Sequence, residues 1–162
     1  MSLAIRPAAA GDRAAIWAIM GPVIGAGETY TLGRCMGEAE ALAYWFGADK
    51  AVFVAEEDGV VLGTYYLRAN QGGGGGHVAN CGYMTGAAAT RRGVARAMAL
   101  HSFDAAKARG FRAMQFNFVV ASNERAVRLW QSRGFAVVGR LPGAFEHPAL
   151  GFVDALVMFR TL

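Results

Sequence analysis

Apolar residues along this chain follow two rhythms, unbroken short runs and spacings of three or four, and the alternation between them marks out the elements. Residues 51–55 (AVFVA) and 111–120 (FRAMQFNFVV) are nearly continuous apolar runs, the pattern of strands covered on both faces. Residues 60–69 and 77–85 (HVANCGYMT) also read as strands. In the second of these, Val78, Asn80, Gly82 and Met84 share one face and Ala79, Cys81 and Tyr83 the other. A first strand over 3–7 ends at Pro7, which has no N–H for a ladder. Asp58-Gly59 carries the signal of a tight hairpin turn. Gly63 marks a bulge or a close backbone approach, and Gly82 a further bulge.

The helical stretches are punctuated as clearly. Gly11-Asp12 supplies an N-cap, and Ile16, Ile19 and Met20 predict a helix to about Met20, which Pro22 and the surrounding glycines end. A second helix covers 38–46, after a polar and aromatic loop, Gly27-Glu28-Thr29-Tyr30-Thr31. A third runs from Gly93 to Gly110, and a fourth starts with Ser122 as N-cap and stops at Gly134. Strands over 135–140 and 152–160 close the chain as an antiparallel pair joined by a long loop, 141–151. The order βααβββαβαββ predicts a single α/β domain over 1–162, with a central mixed, mostly antiparallel sheet flanked by helices.

Composition narrows the class. Of 162 residues, 54% are hydrophobic and 17% charged, too apolar for disorder. No apolar run reaches the roughly 18 to 20 residues of a membrane span, and the first residues do not read as a signal peptide, so the expectation is a cytoplasmic protein. Cys35 and Cys81 match no metal spacing and read as reduced thiols, with no metal site. The net charge of +4 rests on arginine, most of it from Arg91 onward, without the basic run and interleaved aromatics of a nucleic-acid groove. Five consecutive glycines, 72–76, form either a loose hairpin tip or a lid.

The arginines gather at one junction. A strand end is followed by the small residues Gly86-Ala87-Ala88-Ala89, then by Thr90-Arg91-Arg92-Gly93-Val94-Ala95-Arg96, where a helix begins. Unpartnered N–H groups and the dipole at a helix start attract an anion, a glycine lets it approach, and arginines add bidentate donors. These residues resemble the back part of the pyrophosphate-binding motif of the GNAT N-acetyltransferase superfamily. Gly93 and Ala95 match its pattern, and Thr90 stands where that family has Gln or Arg. A second stretch, 121–135 (ASNERAVRLWQSRGF), is similar to the family's later segment, with Asn123, Ala126, Leu129, Gly134 and Phe135 in place.

The resemblance implies the GNAT fold and transfer of an acetyl group from acetyl-coenzyme A to an amine. It implies that the backbone of Met84 and Thr85 holds the pantetheine arm, that residues 90–96 hold the diphosphate end, that Asn123 contacts the pantetheine or diphosphate region, and that Trp130 lines the thioester channel. In the family a Tyr often stands at that last position as the proton donor, and an indole N–H cannot replace it. Asn80 and Asn117, on strands that splay apart in the family, are candidates to hold the amine or a water, and Glu28 is a candidate base. Glu28, Tyr30 and His147 are candidates for the acceptor wall, with a plain surface loop as the alternative for each. The resemblance favours a small-molecule amine as acceptor. A protein acetyltransferase and a coenzyme A-binding module without turnover stay open, as does a homodimer.

Overall fold

In the computed structural model, which describes residues 2–162, the chain runs β1 (Ala4–Pro7), α1 (Arg13–Ala26), α2 (Glu38–Trp45), β2 (Ala51–Glu57), β3 (Val60–Ala69), β4 (Val78–Thr85) and α3 (Val94–Ala108). It continues with β5 (Ala113–Val120), α4 (Glu124–Ser132), β6 (Ala136–His147) and β7 (Gly151–Thr161), so the order is the expected one. The strands form one sheet in the order β1-β2-β3-β4-β5-β7-β6, antiparallel throughout except for β4 beside β5. No helix among the described residues is long and apolar enough to cross a membrane.

Strand alternation divides the core in two. Phe53, Tyr65, Leu67, Ala79 and Cys81 face α3 and α4, where they meet Met98, Phe103 and Trp130. Val52, Val54, Tyr66 and Met84 face α1 and α2, against Ile16, Met20, Ile24 and Trp45. The polar Thr64 is tolerated inside because its hydroxyl accepts from Trp45 Nε1 at 3.0 Å and donates to Phe53 O at 2.8 Å.

Four local expectations are corrected. Pro22 does not end α1, because it lies on the exposed side while Met20 and Ile24 stay buried across it. Burial of that stripe outweighs one missing hydrogen bond, and the helix stops at Gly27, in the left-handed region at φ 64°. Residues 141–147 are strand: irregularities between Val137 and Gly139 and between Leu141 and Phe145 absorb Pro142 and Gly143. Asn123 caps α4 in place of Ser122, its Oδ1 accepting from Ala126 N at 3.3 Å. Finally, β4 runs against β3 without a bulge at Gly82. The irregularity sits opposite Gly63, between Ala55 and Glu56 of β2.

Gly82 is needed for space. A Cβ there would stand 2.5 Å from the Tyr66 ring, which lies across it from the directly opposed position on β3. Tyr66 is itself pinned by Trp45, at a centroid distance of 4.9 Å. Gly82→Ala is therefore expected to lower stability by about 1–3 kcal/mol, read as a lower urea midpoint at unchanged slope. An unchanged midpoint would show that the ring gives way freely.

Candidate functional site

Parallel pairing of β4 with β5 lasts for two residue pairs only, Val78 with Ala113 and Ala79 with Met114. Beyond Ala79 the two strands separate. Asn80 Nδ2 donates to Gln115 O at 2.9 Å, taking the carbonyl that the next rung would offer to the β4 backbone. Further along, β5 bulges, with Asn117 and Phe118 inserted where β7 supplies Val157 alone. The fork so formed is held open from both sides.

The phase of β4 decides which backbone groups look into the fork. Asn70 N donates to Val78 O and Gly86 N to Leu62 O, so even-numbered residues of β4 spend their hydrogen bonds on β3. Cys81, Tyr83 and Thr85 therefore turn N–H and C=O towards β5, where no pairing follows Ala79. Thr85 is among the residues whose backbone faces the fork. Met84 is not: its backbone pairs across to Thr64 and its side chain is buried on the α1 side, and the neighbouring Tyr83 is the residue whose backbone faces the gap. Tyr30 reaches in from the loop after α1 and donates to Tyr83 O at 2.7 Å, its own proton held more tightly through burial.

The fork opens into a cleft of about 910 Å³ that ends at the start of α3. There Arg91 (φ 65°) and Gly93 (φ 76°) both lie in the left-handed region, which turns successive amides to one side. Among the described residues, the N–H groups of Arg91, Gly93, Val94, Ala95 and Arg96 have no acceptor in the protein. Thr90 lines the same turn. Arg91 and Arg96 line the cleft from this side, and Arg125 and Arg128 face them from α4. The turn, its free amides and four guanidinium groups fit a diphosphate. Arg92 lies outside this lining and pairs with Glu57, and Arg128, within it, pairs at 3.3 Å with Glu124 on its own helix.

The remaining side chains are already occupied in ways that restrict their chemistry. Trp130 is 7% exposed and packs between Tyr83 and Phe116, with centroids at 4.9 and 4.6 Å. Asn117 accepts from Gln115 Nε2 at 2.9 Å and donates to Asn70 Oδ1 at 2.7 Å, so both ends of its amide are spent. With Nδ2 of Asn80 committed to Gln115, neither asparagine is free to grip an amine with its whole amide. Asn123 lines the cleft as well as capping α4. Cys81 lines it too, with its thiol pushed up to about 12 by burial, so it is not a thiolate at neutral pH.

Two candidates lie elsewhere. Glu28 is exposed and outside the cleft, although its neighbours Thr29, Tyr30 and Thr31 line it. His147 sits at the β6–β7 turn, outside this cleft and beside Gly27 and Arg34, where Nδ1 accepts from Ala149 N and Leu150 N at 3.1 and 3.2 Å. The five-glycine segment makes a short 3₁₀ turn over Gly73–Gly75 and lines no part of the cleft. What the sequence reading missed is the opposite wall, Tyr44, Tyr66 and Arg68. Only the alternation of β3 hinted at it, placing Tyr66 and Arg68 on one face.

The profile of the acetyltransferase (GNAT) family matches residues 26–135. A GCN5-related N-acetyltransferase from Kribbella flavida superposes with a TM-score of 0.94 at 42% identity, over 99% of this chain and 98% of that one. A phosphinothricin acetyltransferase of the GNAT superfamily from Sinorhizobium meliloti, solved in complex with acetyl-coenzyme A, shares the fold with a TM-score of 0.87 at 21% identity, over 100% of this chain and 89% of that one. N-acetyltransferase aca1 of Schizosaccharomyces pombe is 30% identical over 98 residues, 60% of this chain and 47% of its own length. The chain thus spans about half of that curated relative. With the profile covering more than half of the chain, and the fork and anion-ready turn inside the matched region, the chain belongs to the acetyltransferase (GNAT) family, a family of acetyl-coenzyme A-dependent acyltransferases.

Proposed function

We propose that this protein moves an acetyl group from acetyl-coenzyme A to the amine of a small molecule, by direct attack within a ternary complex. The observation that carries the reading is the fork: an interrupted ladder whose odd-numbered β4 residues turn backbone groups into the gap, with only the Tyr83 carbonyl taken, by Tyr30, along a line that ends at the unpartnered amides of α3. A pantetheine arm extended along β4 completes that edge as a short strand, and the diphosphate meets the turn at Arg91–Gly93. Acetyl-coenzyme A supplies the acyl group already activated as a thioester. Backbone N–H groups of the open β4 edge orient its carbonyl and stabilise negative charge on the oxygen during attack.

A small acceptor suits the other side of the fork. Tyr30, tethered to the Tyr83 carbonyl, brings the loop after α1 over the cleft, so the amine enters a walled pocket instead of an open groove. An alkyl ammonium with a pKa of about 10.4 must lose its proton before it attacks. Among the described residues no carboxylate lines the cleft, while five arginines do. Positive charge nearby disfavours the ammonium form, so the proton leaves to water without a dedicated base. The tyrosine hydroxyls of Tyr66 and Tyr83 hold their protons more firmly than usual because they are buried, and so do not serve as bases. The thiol leaving group has an ordinary pKa of about 8.5 and departs with little help from an acid.

The same lack of a carboxylate favours a second reading, a coenzyme A-binding module without turnover. Release of free thiol from acetyl-coenzyme A in the presence of an amine panel decides between them. Amine-dependent release supports transfer, and tight binding without release supports the module.

Two variants test the parts. Gly93 sits at φ 76°, where a branched side chain is strained, and its amide belongs to the free set at the turn. Gly93→Val is expected to raise the coenzyme A dissociation constant at least about tenfold while the protein stays folded. Unchanged affinity in a folded variant would remove the diphosphate from this turn. Trp130 contributes packing and no proton. Turnover of Trp130→Phe should stay within about tenfold of the parent, short of the 10² to 10⁴ range for a lost acid–base group. A thousandfold drop with coenzyme affinity intact would assign the indole a chemical role.

A further inference from the structure

We propose, resting on the acetyl-transfer reading, that the acceptor amine also carries a carboxylate or comparable oxyanion a few bonds from its nitrogen, and that Arg68 is the residue that reads it. The acceptor end of the cleft is walled by Tyr30, Tyr44, Tyr66, Arg68 and Asn80. Of these, Arg68 carries the only full charge. Its side chain is one-third exposed, on the same face of β3 as Tyr66 and directly opposite Asn80 on β4.

Charge balance at this corner is incomplete. Arg68 Nη1 lies 3.4 Å from Asp49 Oδ2, and the same carboxylate lies 3.6 Å from Lys50 Nζ. One carboxylate thus serves two cations. Asp49 is more than half exposed, whereas Lys50 is buried, its ammonium 4.4 Å from the centre of the Tyr44 ring and 5.4 Å from that of Tyr66. A long, exposed contact of this kind contributes little, so a ligand that desolvates Arg68 competes with Asp49 at small cost. An acceptor bearing a second cation, such as a polyamine or a basic peptide, instead meets Arg68 with no lining carboxylate to hold it.

Arg68 and Asn80 are directly opposed on β3 and β4, so the two side chains stand on one wall, and an oxyanion held by Arg68 keeps the rest of a small acceptor on the Asn80 side. Asn80 is where the fork begins. An amino acid, with its nitrogen and carboxylate a few bonds apart, suits such a wall. The planar guanidinium matches a carboxylate with two parallel hydrogen bonds, and the Tyr44 and Tyr66 hydroxyls, 3.5 Å apart, stand on the same wall.

The test is isothermal titration onto the protein saturated with coenzyme A. The probes are the common L-amino acids and their carboxamides, with spermidine and a lysine-containing tetrapeptide as cationic comparators. At least one acid is expected to bind about tenfold or more tightly than its own carboxamide, and Arg68→Gln to abolish that difference at unchanged coenzyme A affinity. Arg68→Lys, which keeps the charge and loses the fork, should fall between. Equal binding of acid and carboxamide, tightest binding by spermidine or the tetrapeptide, or no binding by any acid overturns the assignment, whichever variants fold. Thiol release, measured in parallel, separates the two readings. Acid-selective binding without release supports Arg68 as the oxyanion-reading residue and counts against transfer, while release with the cationic comparators alone supports transfer and overturns the assignment.

Discussion

One unmade set of hydrogen bonds organises this molecule. Parallel β4 and β5 begin to pair at Val78 and Ala79 and then part, leaving the odd-numbered edge of β4 without strand partners along the cleft, where Tyr30 satisfies the Tyr83 carbonyl alone. Buried backbone polar groups are costly to leave without partners, so an opening of this kind needs support. Asn80 gives it at the crotch by capturing the Gln115 carbonyl, and the bulge at Asn117 and Phe118 gives it further along. On the α4 side of the fork, Tyr83, Trp130, Phe116 and Phe135 pack as an aromatic cluster that joins both strands to the helix.

Charge gives the cleft its direction. Four arginines, from the turn before α3, from α3 and from α4, crowd the end where free amides point outwards, and Arg68 stands at the other end. The lining carries no carboxylate among the described residues. Such a cleft receives anions along its whole length and discourages protonation of an amine inside it. Binding and reactivity therefore draw on the same charges. The Cys81 thiol, which lines the same cleft, is kept neutral by burial.

The order of elements and the two faces of β4 were legible in the sequence because both follow from local periodicity. So was the anion turn, where small residues, a glycine and arginines coincide within a few positions. Matters settled by distant partners were not. Pro22 looks like a helix end until Ile24 is seen buried beyond it, and residues 141–147 look like a loop until Phe145 packs under the sheet beside Phe118. Tyr83 and not Met84 turns its backbone to the gap because the phase of β4 is set by its register against β3. Arg92 and His147 are polar residues near glycines with no sequence sign that Glu57 and the hairpin turn already hold them. Tyr44, Tyr66 and Arg68 come from two separate elements, and only folding brings them together.

The central claim is that the open edge of β4 and the start of α3 form one continuous surface for acetyl-coenzyme A. Amide hydrogen exchange, resolved by residue and measured with and without coenzyme A, tests it most directly. Cys81, Tyr83, Thr85 and the amides from Gly93 to Arg96 should exchange more slowly when coenzyme A is present, while the β6–β7 turn around His147 should not change. Protection at the start of α3 without any along β4, or protection confined to surfaces outside the fork, would contradict it.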